Sequence, residues 1–296
     1  MFLVKSLSLL PFWFLYALSE LMAFLTYHII GYRRKVVRHN LAVAFPEKSV
    51  RERRKIERQF YRNFLQITLE SVKAYRFTKK DWDKRFKTTN PEVFLKYLDE
   101  GQAVILMSGH VANWEWPAFA TGVQYPYPIE FIYKPIKNEK FNARMLQLRT
   151  RHGGLPIAKD QAVRQIIKRR KEPRIIGIIG DQLPAMGNEK YWIDFLNRET
   201  AFYIGAERIA EMVGYPVFTS QVKRVGLGRY EITYTQIGTP PYEKGNSQII
   251  EKFAQSLEAT IRQKPSDYLW SHKRWKYTKE EEEAVLASRK SGAQKS

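Results

Sequence analysis

The first 30 residues carry the strongest pattern in the chain. From Leu7 to Ile30 there are 24 residues with one formal charge, Glu20, and interruptions at Pro11 and His28. Roughly 20 apolar residues cross a bilayer. A signal peptide has an apolar core of about 7–15 residues and a small-residue cleavage site, and no A-x-A site follows here. Residues 1–30 are therefore expected to form a hydrophobic membrane-anchor helix that spans or inserts deeply. A helix lying in the interface or packed on its own domain is the alternative. Residues 48–77 read as a helix, because Ile56, Phe60, Phe64, Ile67 and Val72 recur at near-helical spacing. Leu95–Leu98 closes another helix before Gly101.

The period then changes. Ala103–Met107, Ile129–Tyr133 and Arg174–Ile179 are short continuous apolar runs, as expected of strands buried on both faces. Leu155–Ala158, Val217–Val222 and Tyr230–Thr235 are further strands. Helices are expected over Asn138–His152, Gln161–Lys171, Glu199–Val213 and Ser247–Arg262. Strands alternating with helices indicate an α/β fold, a mostly parallel central sheet flanked by helices. We read the organisation as an anchor (1–30), one domain (31–277) and a polar, frayed C-terminal tail (278–296).

Charge changes the picture next. Lysine plus arginine number 50 against 30 aspartate plus glutamate, a net +20, which implies an anionic partner. Between Gly31 and Arg62 eleven Lys/Arg and three Glu leave +8 directly after the apolar stretch. That arrangement favours the cytoplasmic side of a membrane and attraction to an anionic membrane surface. No nucleic-acid motif is present, there is no G-x-x-x-x-G-K-[ST], and Gly226-Leu227-Gly228 lacks the third glycine of a dinucleotide site. The absence of cysteine removes thiolate chemistry, disulfides and zinc–sulfur sites.

Candidate chemistry lies at Ser108-Gly109-His110-Val111-Ala112-Asn113-Trp114-Glu115, just after a buried strand, where open parallel sheets place their sites. A helix is expected from about Val111. His110 and Glu115 are five apart, about 140° on a helix, so they share no face. They meet if His110 lies in the turn and Glu115 points back from the first helical turns. A carboxylate there fixes the imidazole tautomer and leaves the other nitrogen to take a proton. The plain alternative is a capping histidine and an unrelated surface glutamate. Asp181-Gln182, at the end of another buried strand, lines the same cleft or caps a turn.

The string G-H-x-x-N-W-E at 109–115 resembles the lipid A biosynthesis (late) acyltransferases, a branch of the lysophospholipid/glycerolipid acyltransferase superfamily whose signature is H-x4-D/E. Arg38-His39-Asn40-Leu41 with Phe45-Pro46 is similar to that branch's entry after the anchor. Tyr133-Lys134-Pro135, Asn138, Arg149 and Gly153 resemble its second block, where arginine is more usual at 134. Asp181-Gln182, Pro184, Gly187 and Phe195 resemble the third. Tyr268, Trp270, His272, Arg274, Trp275 and Lys276 resemble the last, where arginine is more usual at 273 and phenylalanine at 275. The resemblance covers roughly residues 5–277.

It implies transfer of a fatty acyl chain from acyl carrier protein to a hydroxyl of a membrane glycolipid acceptor, at the cytoplasmic face of the inner membrane. His110 is then the base, and Glu115 holds it. Asn113, Arg149, Arg151, Asp181 and Gln182 become substrate-binding residues, with Arg149 or Arg151 at the oxyanion or an acceptor phosphate. No cofactor or metal is implied. The basic helix Arg164–Lys171 is either a solvated face or a dock for an acidic carrier protein. Other acceptors (an aminolipid, a lysophospholipid, a mannoside glycolipid), acyl-CoA as donor, and a non-catalytic basic membrane- or nucleic-acid-binding protein are the competing readings.

Overall fold

The computed structural model describes residues 2–135 and 138–293, so Met1 of the expected anchor and residues 294–296 of the expected tail lie outside the described residues. The chain runs α1 (Phe2–Leu9), α2 (Phe12–Phe24), a π-helical turn (Leu25–Ile30), α3 (Arg34–Ala44), α4 (Val50–Ala74), α5 (Lys79–Arg85), β1 (Phe86–Thr88) and α6 (Glu92–Asp99). It continues with β2 (Val104–Ser108), α7 (Trp116–Gln124), β3 (Ile129–Tyr133), α8 (Glu139–Thr150), β4 (Gly154–Ala158), α9 (Ala162–Lys168) and β5 (Ile175–Ile179). The last part is β6 (Lys190–Phe195), β7 (Arg198–Tyr203), α10 (Gly205–Val213), β8 (Val217–Gly226), β9 (Arg229–Gly238), α11 (Gln248–Gln263) and α12 (Lys279–Ala293).

Seven strands form one sheet in the order β1-β9-β8-β2-β5-β3-β4. Strands β8, β2, β5, β3 and β4 all run parallel, and β9 returns antiparallel to β8. The fold is thus the mostly parallel, helix-flanked α/β sheet that the apolar runs predict. Val104, Ile105, Met107, Ile175 and Ile176 in the two central strands are almost fully buried, which is why they read as unbroken apolar runs.

Helix α2 ends in a π-turn capped by Gly31 in the left-handed region. Phe12–Ile30 is the stretch, among the described residues, long and apolar enough to cross a membrane. It does not stand clear of the domain. Leu15, Ser19, Ala23 and Tyr27, one residue every four, are buried. Glu20 on the same helix accepts from Arg62 (2.7 Å) and Gln66 (3.2 Å) of α4. The outer face leaves Trp13, Phe14, Leu21, Phe24, Ile29 and Ile30 exposed.

Two expectations change. The helix expected over Glu199–Val213 begins only at Gly205, because β6 and β7 pair as an antiparallel hairpin in register from Lys190↔Tyr203 to Phe195↔Arg198. Its turn is Leu196-Asn197, both at positive φ (53° and 64°). Such two-residue turns match the twist of a hairpin, but Leu-Asn lacks the glycine that usually signals one. Cross-strand pairing then overrides local helical preference.

The tail expected to fray is helical to Ala293. The Glu281 amide donates to the Thr278 hydroxyl (3.2 Å) and the Thr278 amide donates to the Glu281 carboxylate (2.9 Å), a reciprocal cap. Glu282, with 6% of its side chain exposed, pairs with Lys190 and accepts from the Gly187 amide at 2.7 Å. Removing one partner of a buried pair strands the other's charge and costs about 3 kcal/mol. We expect Glu282→Ala to lower the unfolding free energy by about that much in denaturant titrations in mild detergent. An unchanged midpoint would show that the pair holds nothing down.

Candidate active site

Strands β2 and β5 are parallel neighbours in register from Val104↔Ile175 to Ser108↔Ile179. Each ends in a glycine followed by a polar residue: Gly109-His110 and Gly180-Asp181. The Gly180 amide donates to the Ser108 carbonyl (3.0 Å), so the two chains stay in step past the last paired residues. Continuing the register by two places sets His110 beside Asp181. Glycine at 109 makes room for α11, since a Cβ there would lie 2.5 Å from Leu257 Cδ1 and force that side chain to shift.

His110 Nδ1 lies 2.6 Å from Asp181 Oδ1, and the His110 amide donates to Asp181 Oδ2 at 3.0 Å. Asp181 is 2% exposed. A carboxylate accepts only, so Nδ1 carries the hydrogen, and in the neutral imidazole Nε2 keeps its lone pair. The Gln182 amide lies 3.4 Å from that Nε2, and the Trp114 ring is 5.4 Å from the imidazole. Burial opposes an imidazolium, but the Asp181 charge and hydrogen bond outweigh it, so the His110 pKa is raised above its ordinary value. Burial likewise opposes the Asp181 carboxylate; His110, with Arg274 behind, holds its pKa below the usual range.

Glu115 is not the partner of His110. Both its oxygens accept from Arg149, from Nε at 3.0 Å and Nη2 at 2.7 Å, a two-pronged ion pair. The helix expected from Val111 starts at Trp116. Residues 111–115 instead form a turn in which Ala112 adopts φ +50° and Val111 bridges to Tyr268. The Ala112 amide donates to the Asp267 carbonyl (2.9 Å) and the Leu269 amide to the His110 carbonyl (3.1 Å). Buried alanine in the left-handed region is strained backbone held by its surroundings. The turn carries Glu115 away from Asp181 and onto α8, where Arg149 sits.

Asn113 is fully buried. Its amide donates to Glu70 (3.0 Å) and its oxygen accepts from the Trp116 amide (3.3 Å), so both ends are engaged by protein. Arg151 points elsewhere, donating to the Tyr75 carbonyl at 3.4 Å and lying 5.6 Å over that ring. The site therefore gathers His110, Asp181, Gln182 and, alongside, the Glu115–Arg149 pair, but not Arg151. His272 Nε2 accepts from the Leu183 amide (3.0 Å), and burial pushes its pKa down to about 4, so it is neutral. Arg274 is fully buried 4.4 Å from the Phe202 ring centre. Of the basic helix, Arg169 pairs with Glu130 and Glu172, and Arg174, which follows it, lies where β2 begins. Arg169 and Arg174 thus lie by the N-terminal ends of β2 and β3, the end of the sheet opposite His110.

Residues 1–277 match the profile of the bacterial lipid A biosynthesis acyltransferases. The chain belongs to that family. No curated protein sequence matches it. In the structure the contact that holds the H-x4-E histidine comes from the third block, at Asp181. The sequence held a signal for it: two buried strands ending in the same strand–glycine–polar pattern. Arg274, buried behind the site, was marked only by its place in the last block, and Glu70 carried no signal. We expect His110 to titrate above the free-histidine value of about 6.5 by NMR of labelled imidazole, and Asp181→Asn to bring its pKa down, since the main opposition to burial is gone. A pKa at or below the free value in the wild-type protein would contradict the assigned contact.

Proposed function

We propose that this acyltransferase moves a fatty acyl chain from an acyl carrier protein thioester to a hydroxyl of a lipid A precursor, with His110 as general base. The observation that carries the reading is an imidazole locked through Nδ1 by a buried carboxylate, with Nε2 facing outward and His110's side chain 15% exposed. His110 Nε2 takes the hydroxyl proton as the oxygen attacks the thioester carbonyl. The C–O bond forms and the carbonyl becomes an oxyanion. Its collapse breaks the C–S bond, and the imidazolium returns the proton to the departing thiolate. Asp181 stabilises the imidazolium between those steps. Arg149, held in place by Glu115, is the cation placed to meet the oxyanion or an acceptor phosphate. Gln182, beside Nε2, is positioned to hold the acceptor hydroxyl.

The same reading puts the protein on the cytoplasmic face of the inner membrane. The inner stripe of α2 lies along α4, so the helix is suited to embed its outer face (Trp13, Leu21, Phe24, Ile29, Ile30) rather than to cross alone. The basic run Arg33, Arg34, Lys35 and Arg38 follows at once, where it meets anionic headgroups.

His110→Ala should cut acyl transfer about 1,000-fold while folding and membrane binding persist. Lipid mass spectrometry of a deletion strain should show lipid A short of one acyl chain, restored by the wild-type gene and not by His110→Ala. Normal turnover by purified His110→Ala, or loss of a chain from some other lipid instead, would overturn the assignment.

A further inference from the structure

Glu70 sits near the end of the 25-residue helix α4 and is 1% exposed. Three side chains from three other parts of the fold donate to its carboxylate. The Tyr16 hydroxyl, on α2, meets Oε1 at 3.1 Å. The Asn113 amide, in the turn between His110 and Glu115, meets Oε2 at 3.0 Å. The Tyr230 hydroxyl, on β9, meets Oε2 at 2.6 Å. Arg224 supplies the positive charge for this pocket, with its guanidinium 5.4 Å from the Tyr230 ring centre and Nη1 donating to Gln66 at 2.6 Å. A buried carboxylate persists only when paired and hydrogen-bonded, and here every bond it receives ties a separate element to the same two oxygens.

Asn113 transmits that tie. Its own oxygen caps α7 at Trp116, and it stands directly after Ala112, whose left-handed backbone needs support from both sides. Asp267 supports the turn on one side, through its carbonyl. Glu70 supports it on the other.

We propose that Glu70 is a positioning residue that couples the membrane-facing helix to the catalytic turn through Tyr16, Glu70 and Asn113. Seating α2 on the membrane and holding His110 in register then become one mechanical event. The inference rests on the acyl-transfer reading above. In Glu70→Gln the charge is lost and one acceptor oxygen becomes an NH2: with the amide oxygen kept toward Asn113 and Tyr230 the NH2 faces the Tyr16 hydroxyl, which can no longer donate there, and with the amide flipped the NH2 faces the Asn113 NH2. Tyr16→Phe removes a single hydroxyl and leaves the packing of α2 intact.

The test is steady-state kinetics of the full-length protein with acyl carrier protein thioester as donor and acceptor lipid from a deletion strain, presented in anionic vesicles. Tyr16→Phe should lower kcat about 3-fold and Glu70→Gln at least 10-fold, with unchanged donor KM, thermal midpoint and vesicle binding. The double variant should be no slower than Glu70→Gln alone, because both act along one path. Wild-type kcat in folded Glu70→Gln, or effects that multiply in the double variant, would overturn the coupling. If Glu70→Gln does not fold, Tyr16→Phe decides alone, and its wild-type kcat overturns the proposal. His110→Ala is measured beside them: if it still turns over, the acyl-transfer reading fails; if only it is inactive, the coupling fails and that reading stands.

Discussion

Parallel pairing of β2 with β5 is the constraint on which the chemistry of this protein depends. Neither Gly109-His110 nor Gly180-Asp181 is a site alone. Each is a strand end, and only the register Ser108↔Ile179 makes them face one another. Because side chains alternate along a strand, a shift of one residue would turn His110 and Asp181 to opposite faces. The apolar residues of both strands, buried on two sides, fix that register. The core therefore does more than stabilise: it sets the distance between His110 and the carboxylate that favours its protonated form.

Much of this was legible beforehand. The continuous apolar runs named the buried strands, and their parallel arrangement followed from the helices between them. The strand–glycine–histidine junction pointed to His110, which the structure sets beside Asp181. The failures have physical causes. H-x4-E suggested a pair because the residues are near in sequence, but the strained turn at Ala112 sends Glu115 toward Arg149. Asp181, 71 positions from His110, is nearer in space. The β6–β7 hairpin was missed because Leu196-Asn197 makes a tight turn without the usual residues. The final helix was missed because its polar sequence hides one buried carboxylate, Glu282, although Thr278 and Glu281 form a recognisable cap. Glu70 was illegible for a related reason: a glutamate on a long charged helix looks solvated until its neighbours are known.

Polar groups, together with the apolar packing, connect α2, the turn after His110 and the C-terminal segment. Glu20 with Arg62 and Gln66 seats the first long helix on α4. Glu70 joins that helix to the turn after His110. Asn40 donates to the carbonyls of Trp270 (2.9 Å) and His272 (2.8 Å), holding the segment that backs Asp181. The buried contacts among these, at Glu70 and Asn40, are directional and fully engaged, so they specify geometry as well as holding the elements together.

The central claim is that Asp181, not Glu115, orients and charges His110. The most direct measurement is the pH dependence of kcat/KM for Asp181→Asn and Glu115→Gln beside the wild type. With the base in its neutral form, the rate should rise with pH along a limb centred above the free-histidine value of about 6.5. The account predicts that Asp181→Asn lowers the rate at least 100-fold and moves that limb to lower pH, whereas Glu115→Gln lowers the rate and leaves the limb within a few tenths of a unit. A limb that moves with Glu115→Gln and stays put in Asp181→Asn would contradict it.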